Sequence, residues 1–178
     1  MTFPRPIKVE LVPHNPRWAV MAQEAGAEVA AALGPNVAMV HHIGSTAIPG
    51  ITAKPILDLM PVIRDLPELD RRRGDVEAMG YEWWGELGLP GRRYCTRSDP
   101  RTGRRLVQLH CYAISSPEIE RHLAFRDYLR ERPEIARAYE REKTRCRSRH
   151  PDDSHAYSDC KNAWIKAIEA EALAQLRR

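Results

Sequence analysis

At 178 residues, the chain is long enough to bury a core without disulfides or metal ions, and we expect a single domain spanning residues 1–178. Its hydrophobic content of 43% is typical of a globular protein, and no apolar run is long enough to cross a bilayer, which argues against a membrane protein. The N-terminus lacks the charged-then-apolar layout of a secretion signal, so we expect a cytoplasmic protein.

The formal net charge of +4 comes mainly from arginine. Arginine makes planar, bidentate contacts with carboxylate and phosphate groups, so this composition favours an anionic ligand over a cationic one. A basic surface that is merely solvated explains the same charge equally well. Some of the arginines lie near aromatic residues, but no recognised nucleic-acid motif is present. A nucleotide or another anionic small molecule is therefore favoured over nucleic acid as the partner.

Hydrophobic periodicity predicts strands in the first two-thirds of the chain and helices in the last third. Alternation or short apolar runs between turn residues predict strands over 7–12, 37–42, 56–63, 81–84, 93–97 and 104–114. Helical periodicity with capping residues predicts helices over 16–33 and 65–78, and further helices that begin at Pro117, at Pro133 and at residues 152–154. This order of elements is typical of an α+β fold with a helical C-terminal layer.

The four cysteines, Cys95, Cys111, Cys146 and Cys160, are scattered through the second half of the chain. Their spacing contains no Cys-x-x-Cys pair for a metal site, and four are too few to staple a chain of this length. We expect free thiols that lie mostly in the core, with Cys160 on an apolar helix face.

A Gly-Ser-Thr turn precedes a lone carboxylate on a buried strand. Gly44 permits a close backbone approach, and the hydroxyls of Ser45 and Thr46 lie beside backbone N–H groups, a combination suited to phosphate oxygens. A tight turn capped by its own hydroxyls is the alternative. Asp58 interrupts an otherwise apolar strand, where an unpaired charge is unfavourable, so we expect a partner such as a cation or a basic side chain.

The motifs around this turn resemble, in their order, those of the GrpB family. The matching segments are Ile43 to Thr46, Pro49-Gly50, Lys54 to Ile56, Asp58, residues 123–129, Pro133-Glu134, Tyr139, Lys143, residues 151–153, Tyr157 and Lys161. The resemblance spans nearly the whole chain. It implies a nucleotidyltransferase-like fold of the polymerase beta superfamily, with a mixed β-sheet, packed helices and a helical C-terminal layer. The family also occurs fused to dephospho-coenzyme A kinase.

The superfamily resemblance has a consequence for metal binding. Its enzymes place a second carboxylate two residues after the first, where both can hold Mg²⁺. Here that position is Met60, and a hard cation does not choose a thioether. The resemblance therefore implies a single Mg²⁺ held by Asp58. Glu82, Glu86 or Asp99 could supply a further carboxylate from elsewhere in the chain, and no spacing rule selects among them. The alternative is an ion pair between Asp58 and Lys54, four residues earlier, which needs no metal.

His110 lies on the predicted strand over 104–114 and shares one face with Gln108 and Tyr112. Nucleotidyltransferases carry a third carboxylate on a corresponding later strand, so the resemblance makes His110 a candidate catalytic residue. A histidine at that place acts as a metal ligand or a proton carrier near neutral pH. A hydrogen-bonded structural histidine is the alternative.

Three basic residues are candidates for binding the substrate. Arg93 shares one side of a predicted hairpin with Arg97, from which both could reach an anion. Arg126 and Lys161 face a ligand if the C-terminal helices cover the sheet. Buried ion pairs that hold the helices together explain the last two equally well.

Together these residues predict a nucleotide-binding protein, or a nucleotidyltransferase that acts with Mg²⁺ on a small acceptor. The Gly-Ser-Thr turn and Lys54 would hold the phosphates, and Asp58 with His110 would carry the chemistry. The alternative is a non-catalytic nucleotide- or anion-binding module of the same fold, which Met60 favours. A role linked to coenzyme A metabolism rests only on the fusion. The sequence leaves the acceptor and the oligomeric state open.

Overall fold

One mixed sheet organises residues 4–177, the part of the chain that the computed structural model describes. Its strands are β1 (Val37–Ile43), β2 (Leu57–Ile63), β3 (Tyr81–Trp83), β4 (Arg92–Ser98) and β5 (Arg105–Ala113). Their spatial order is β1-β2-β5-β4-β3, with β2 parallel to β5 and the other pairs antiparallel. The predicted hairpin of β4 with β5 is confirmed, and the strands predicted over 37–42 and 56–63 are present as the antiparallel pair β1 and β2.

Helices cover both faces of this sheet. They are α1 (Arg17–Leu33), α2 (Leu66–Arg71), α3 (Arg73–Ala78), α4 (Pro117–Glu131), α5 (Pro133–Arg149) and α6 (Ser154–Leu176). The first three pack against one face, and α4 packs against the other, joined by α5 and α6. Within residues 4–177, no helix combines the length and the apolar character needed to cross a membrane. The predicted α+β fold with a helical C-terminal layer is confirmed.

Strand β2 lies in the interior of the sheet with helices on both sides, which explains its almost continuous apolar sequence. Leu57 and Leu59 belong to the core on the side of α1. Met60 belongs to the opposite core, where α4 packs. Because strand residues alternate between faces, Asp58 also points towards the C-terminal helices. The fold thus places the lone carboxylate of this strand under the helical layer.

Two predicted elements differ in the structure. The segment 7–12 is not a strand, because its one β-type contact is an isolated bridge between Val12 and Ala53. The backbone N–H of Val9 donates to the carbonyl of Pro151 and not to a neighbouring strand. The predicted helix over 65–78 is two short helices that meet at Arg72. The guanidinium of Arg72 donates to two carbonyls at the end of α1, at 2.6 and 2.8 Å, and this tertiary contact holds the break.

The cysteines behave in two different ways. Cys146 on α5 and Cys160 on α6 form a disulfide with a Cα–Cα distance of 5.7 Å, so the expectation of free thiols is wrong for this pair. Neighbouring helices bring these residues together, which sequence spacing alone does not indicate. Cys95 and Cys111 are free and buried on β4 and β5, as expected.

Candidate functional site

A cleft of about 280 Å³ opens between the sheet and the C-terminal helices. Most of the predicted site residues line it, namely Gly44, Ser45, Thr46, Lys54, Asp58, His110 and Lys161. They come from the turn after β1, from β2 and its approach, from β5, and from α6. The fold therefore gathers residues that are more than one hundred positions apart in the chain.

A larger groove of about 490 Å³ lies between α4 and the end of α6. Apolar side chains such as Ile119, Leu123 and Leu176 form much of its wall, and none of the predicted site residues lies in it. Cleft size alone does not identify a binding site, because specificity requires convergent polar groups. The smaller cleft contains those groups and is the candidate site.

Asp58 and His110 form the centre of the cleft. In the parallel pairing of β2 with β5, Asp58 lies opposite Gln108, so His110 is two residues further along on the same face. The Oδ1 atom of Asp58 lies 3.1 Å from Nε2 of His110. The ring of Tyr94 packs beside the imidazole, with 5.2 Å between ring centroids. The expected partner of Asp58 is therefore a histidine supplied by the neighbouring strand.

The environment of Asp58 favours its ionised form. Burial by itself raises the pKa of this carboxyl, but the contact with His110 and the positive charges of Lys54 and Lys161 outweigh burial and hold the pKa below its ordinary value. An ionised carboxylate only accepts hydrogen bonds, so Nε2 of His110 carries the proton in this contact. The other ring nitrogen of His110 is then an acceptor when the imidazole is neutral.

The turn after β1 is held by its own side chains. The hydroxyl of Thr46 is buried and lies 2.8 Å from Nε2 of His42. Burial lowers the pKa of His42 to about 4, so this imidazole is neutral. The hydroxyl of Ser45 makes one long contact of 3.4 Å, to the hydroxyl of Tyr139. Thr46 thus supports the turn, whereas Ser45 presents the more available hydroxyl to the cleft.

Gly44 brings the turn directly against the carboxylate. Its φ and ψ angles are 71° and −171°, a backbone conformation that residues other than glycine rarely adopt. A Cβ atom at this position would lie 2.5 Å from Oδ2 of Asp58. The glycine is therefore required both by the backbone conformation and by the close approach of Asp58.

Two lysines supply positive charge to the cleft. The ammonium groups of Lys54 and Lys161 lie 5.5 and 5.0 Å from the centroid of the Tyr157 ring. Among the described residues, neither lysine has an ion-pair partner within 4.0 Å. Burial, and then the charge of Lys161, lower the pKa of Lys54 to about 8. The predicted ion pair between Lys54 and Asp58 is thus absent from residues 4–177, and Asp58 pairs with His110 instead.

Arg93 does not lie in the cleft. Neighbouring residues of a strand point to opposite faces of the sheet. Tyr94 points towards His110, so Arg93 points to the opposite face. There its guanidinium forms a bidentate pair with Asp70, at 2.6 and 2.7 Å. The expectation that Arg93 binds the substrate is therefore wrong for this cleft, which Arg93 does not line.

Arg126 is also outside the cleft lining. Its guanidinium pairs with Asp127 and donates to the backbone carbonyl of His42 at 3.1 Å. This contact ties α4 to β1, the strand that leads into the Gly-Ser-Thr turn. Of the two helix candidates, Lys161 reaches the cleft and Arg126 holds the helical layer on the sheet.

Sequence reasoning missed four polar residues of the cleft wall, which are Arg121, His122, Ser158 and Glu169. Arg121 donates to Glu169 and, at 3.1 Å, to Nε2 of His122. Burial, together with His110 and Arg121, lowers the pKa of His122 to about 3, which keeps this imidazole neutral. Arg121 also pairs with Glu118 one turn away, and in the sequence this spacing is the same as that of an ordinary surface pair.

The donor set of the cleft does not fit the predicted Mg²⁺ site. The side chain of Met60 is fully buried in an apolar cluster, so it offers nothing to a hard cation. Glu169 is the other carboxylate in the cleft wall, and it is bonded to Arg121. Within residues 4–177, no cluster of three or more His, Cys, Asp or Glu side chains is arranged to hold a metal ion.

The chain is similar in sequence to proteins of one family over most of its length. The family model described as GrpB protein matches residues 8–171. The chain is 38% identical to UPF0157 protein YqkA of Bacillus subtilis over 93% of its own length, and it spans 47% of the length of YqkA. It is 26% identical to a Dephospho-CoA kinase of Mycolicibacterium paratuberculosis, over 89% of this chain and 44% of that protein.

A solved structure is similar over almost the whole chain. The crystal structure of conserved protein GrpB from Enterococcus faecalis superimposes with a TM-score of 0.88 at 38% sequence identity. The superposition covers 95% of this chain and 100% of the other. The two chains therefore share their fold, including the sheet and the helical layer that enclose the cleft.

Proposed function

We propose that this chain, which belongs to the GrpB family, binds the phosphate group of a nucleotide or of another small anionic molecule in its cleft. One observation carries the proposal: Lys54 and Lys161 converge on the cleft without an ion-pair partner among residues 4–177. Burial and the charge of Lys161 lower the affinity of Lys54 for its proton, and an anion that lies between the two ammonium groups stabilises their positive charge. Phosphate is the anion with the charge and the acceptor oxygens to do this.

The neighbouring groups suit the same ligand. The hydroxyl of Ser45 can donate to a phosphate oxygen from the turn that Gly44 and Thr46 hold in place. The cleft volume of about 280 Å³ is at the lower end for ligand pockets. We infer that the cleft encloses the phosphate-bearing part of a small molecule and that the remainder of the ligand extends towards solvent.

A second candidate function is nucleotidyl transfer, which the contact between Asp58 and His110 favours. In this reaction the hydroxyl oxygen of a small acceptor attacks the α-phosphorus of a nucleoside triphosphate, and a new P–O bond forms. The bond to the leaving pyrophosphate breaks, and pyrophosphate departs with the electron pair. The hydroxyl proton passes to the ring nitrogen of His110 that Asp58 does not hold, because Asp58 orients the imidazole through the other nitrogen.

The partial likeness to a Dephospho-CoA kinase supports the inclusion of a coenzyme A precursor among the ligands to be tested. The relative is much longer than the matched segment, so its printed activity belongs to that whole protein. Dephospho-coenzyme A contains a nucleotide and a pyrophosphate, the same groups that the cleft is proposed to bind.

Isothermal titration calorimetry with ATP, GTP, CTP, UTP, pyrophosphate and dephospho-coenzyme A tests the binding proposal at pH 7. At least one of these compounds should bind, and Lys161→Met should weaken that binding at least tenfold. Lys166→Met is the matched control, because Lys166 is exposed on the same helix and does not line the cleft. No binding of any compound at millimolar concentration would reject the proposed function. Release of pyrophosphate from a bound triphosphate then distinguishes a transferase from a binding module.

A further inference from the structure

We propose that the cleft binds its phosphate ligand without a divalent cation, and that Lys54 and Lys161 supply the positive charge that a metal ion would otherwise provide. This inference rests on the proposed function, since it concerns how the same ligand is held. In this arrangement Asp58 positions His110 and does not bind a metal ion. Three features of the cleft support it.

Both oxygens of Asp58 are already in contact with the protein. Oδ1 accepts a hydrogen bond from Nε2 of His110 at 3.1 Å. Oδ2 lies against the backbone of Gly44, where even a Cβ atom would be only 2.5 Å away. A cation bound on the Oδ1 side would meet an N–H donor, and one bound on the Oδ2 side would meet the turn. A Mg²⁺ ion on Oδ1 would therefore have to displace the hydrogen bond from His110, and one on Oδ2 would crowd the backbone of Gly44.

No second carboxylate completes a cation site beside Asp58 in the described part of the chain. Met60, two residues further along the same strand face, is fully buried against Ile43 and Tyr112. Glu169 across the cleft is only 9% exposed and is bonded to Arg121. An oxygen-ligated cation would therefore have one protein ligand, and that ligand already has a partner.

The positive charge of the cleft opposes a cation and favours an anion. Lys54 and Lys161 lie beside the same ring of Tyr157, and the charge of Lys161 contributes to a lowered pKa of Lys54. Arg121 in the same wall is already paired with Glu118 and Glu169, so the two lysines carry the unpaired positive charge of the cleft among residues 4–177. A divalent cation placed here would be repelled by these groups, whereas a phosphate would relieve their mutual repulsion. The arrangement fits a dianionic or more highly charged phosphate that is not already neutralised by a metal ion.

Calorimetric titration of the full chain with ATP and with pyrophosphate, once in EDTA and once with excess MgCl₂, tests this inference. We expect both ligands to bind in EDTA at least as tightly as with Mg²⁺, since Mg²⁺ neutralises the charge that the lysines recognise. Lys54→Met and Lys161→Met should each weaken binding in EDTA at least tenfold, and the control Lys166→Met should leave it unchanged. Mn²⁺ alone should give no paramagnetic broadening of the His110 resonances beyond that caused by free ion.

The outcomes separate the two proposals. Binding that appears only with Mg²⁺, or specific broadening by Mn²⁺ that Asp58→Asn removes, would overturn the metal-free inference and leave the proposed function standing. Equal binding by the wild type, Lys54→Met and Lys161→Met would also overturn it. An absence of binding in both EDTA and MgCl₂ would instead reject the proposed function itself. Circular dichroism of each variant establishes that a lost signal does not come from unfolding.

Discussion

Gly44 and Asp58 are in direct contact, and the position of Oδ2 of Asp58 leaves no room for a side chain at residue 44. Residue 44 follows the end of β1, whose last residue, Ile43, pairs with Asp58 across the antiparallel ladder. Strand pairing therefore sets the distance between the turn and the carboxylate. One glycine thus allows the Gly-Ser-Thr turn and the Asp58–His110 pair to occupy the same cleft.

We predict that Gly44→Ala destabilises the protein by roughly 1 to 3 kcal/mol, because its backbone angles lie in a region almost restricted to glycine. The clash with Asp58 adds to this strain. Gly50→Ala is the matched control, since Gly50 also has a positive φ, of 78°, but a Cβ there meets nothing within 4 Å. Urea unfolding of both variants measures the difference. Equal losses would show that the contact with Asp58 contributes nothing.

Met60→Asp should destabilise the protein by about 3 to 5 kcal/mol, the range found when a buried charge is left uncompensated. Met60 is fully buried against Ile43 and Tyr112, with Ile119 and Leu123 beside them. Met60→Leu keeps the volume and the apolar character, so it should lose less than about 1.5 kcal/mol. Thermal denaturation with and without Mg²⁺ provides the measurement. A Met60→Asp variant that Mg²⁺ restores to wild-type stability would show that this position faces a cation site after all.

Binding of ATP in EDTA should weaken as the pH rises through about 8, where Lys54 loses its proton. The charged groups that face Lys54 are Lys161, Asp58 and Arg105, and of these only Asp58 favours its protonated form. An anion binds the charged ammonium, so ligand binding takes up a proton above pH 8 and becomes less favourable as the proton becomes scarcer.

Between pH 7 and pH 9.5, the affinity of the wild type for ATP should fall about tenfold as Lys54 loses its charge. This fall is equivalent to the loss of one charge-assisted contact of roughly 1.5 kcal/mol. Titration calorimetry in buffers of different ionisation enthalpy measures both the affinity and the proton uptake. Lys54→Met should bind more weakly at pH 7 and should lack this uptake above pH 8. If the variant keeps the pH dependence of the wild type, another group is responsible for it.

Reduction of the disulfide between Cys146 and Cys160 should lower the free energy of unfolding by about 3 kcal/mol, the chain-entropy value for a loop of this size. The two residues are 14 positions apart and join α5 to α6. Melting temperatures with and without dithiothreitol measure the effect. A double variant, Cys146→Ser with Cys160→Ser, should melt at one temperature in both buffers. An identical response of the double variant and the wild type would mean that the reductant acts elsewhere.

The sequence by itself determined the local elements of this protein. Five of the predicted strands and the C-terminal helices are present because periodicity and capping residues act over a few positions. The Gly-Ser-Thr turn and the position of Asp58 on an apolar strand follow from the same local signals. Confirmation of the GrpB family rests on motifs that are also short and ordered along the chain, and the family model matches residues 8–171.

Only the tertiary structure decided which side chains meet. The contact between Asp58 and His110 depends on the parallel register of β2 and β5, which no local pattern encodes. Strand alternation placed Arg93 away from the cleft, although its charge alone made it a candidate. Lys161 lies one turn from Tyr157 on α6, but it lines the cleft only because of the way the helical layer packs on the sheet. These outcomes depend on contacts between residues far apart in the chain, and such contacts are set by the packing of whole elements.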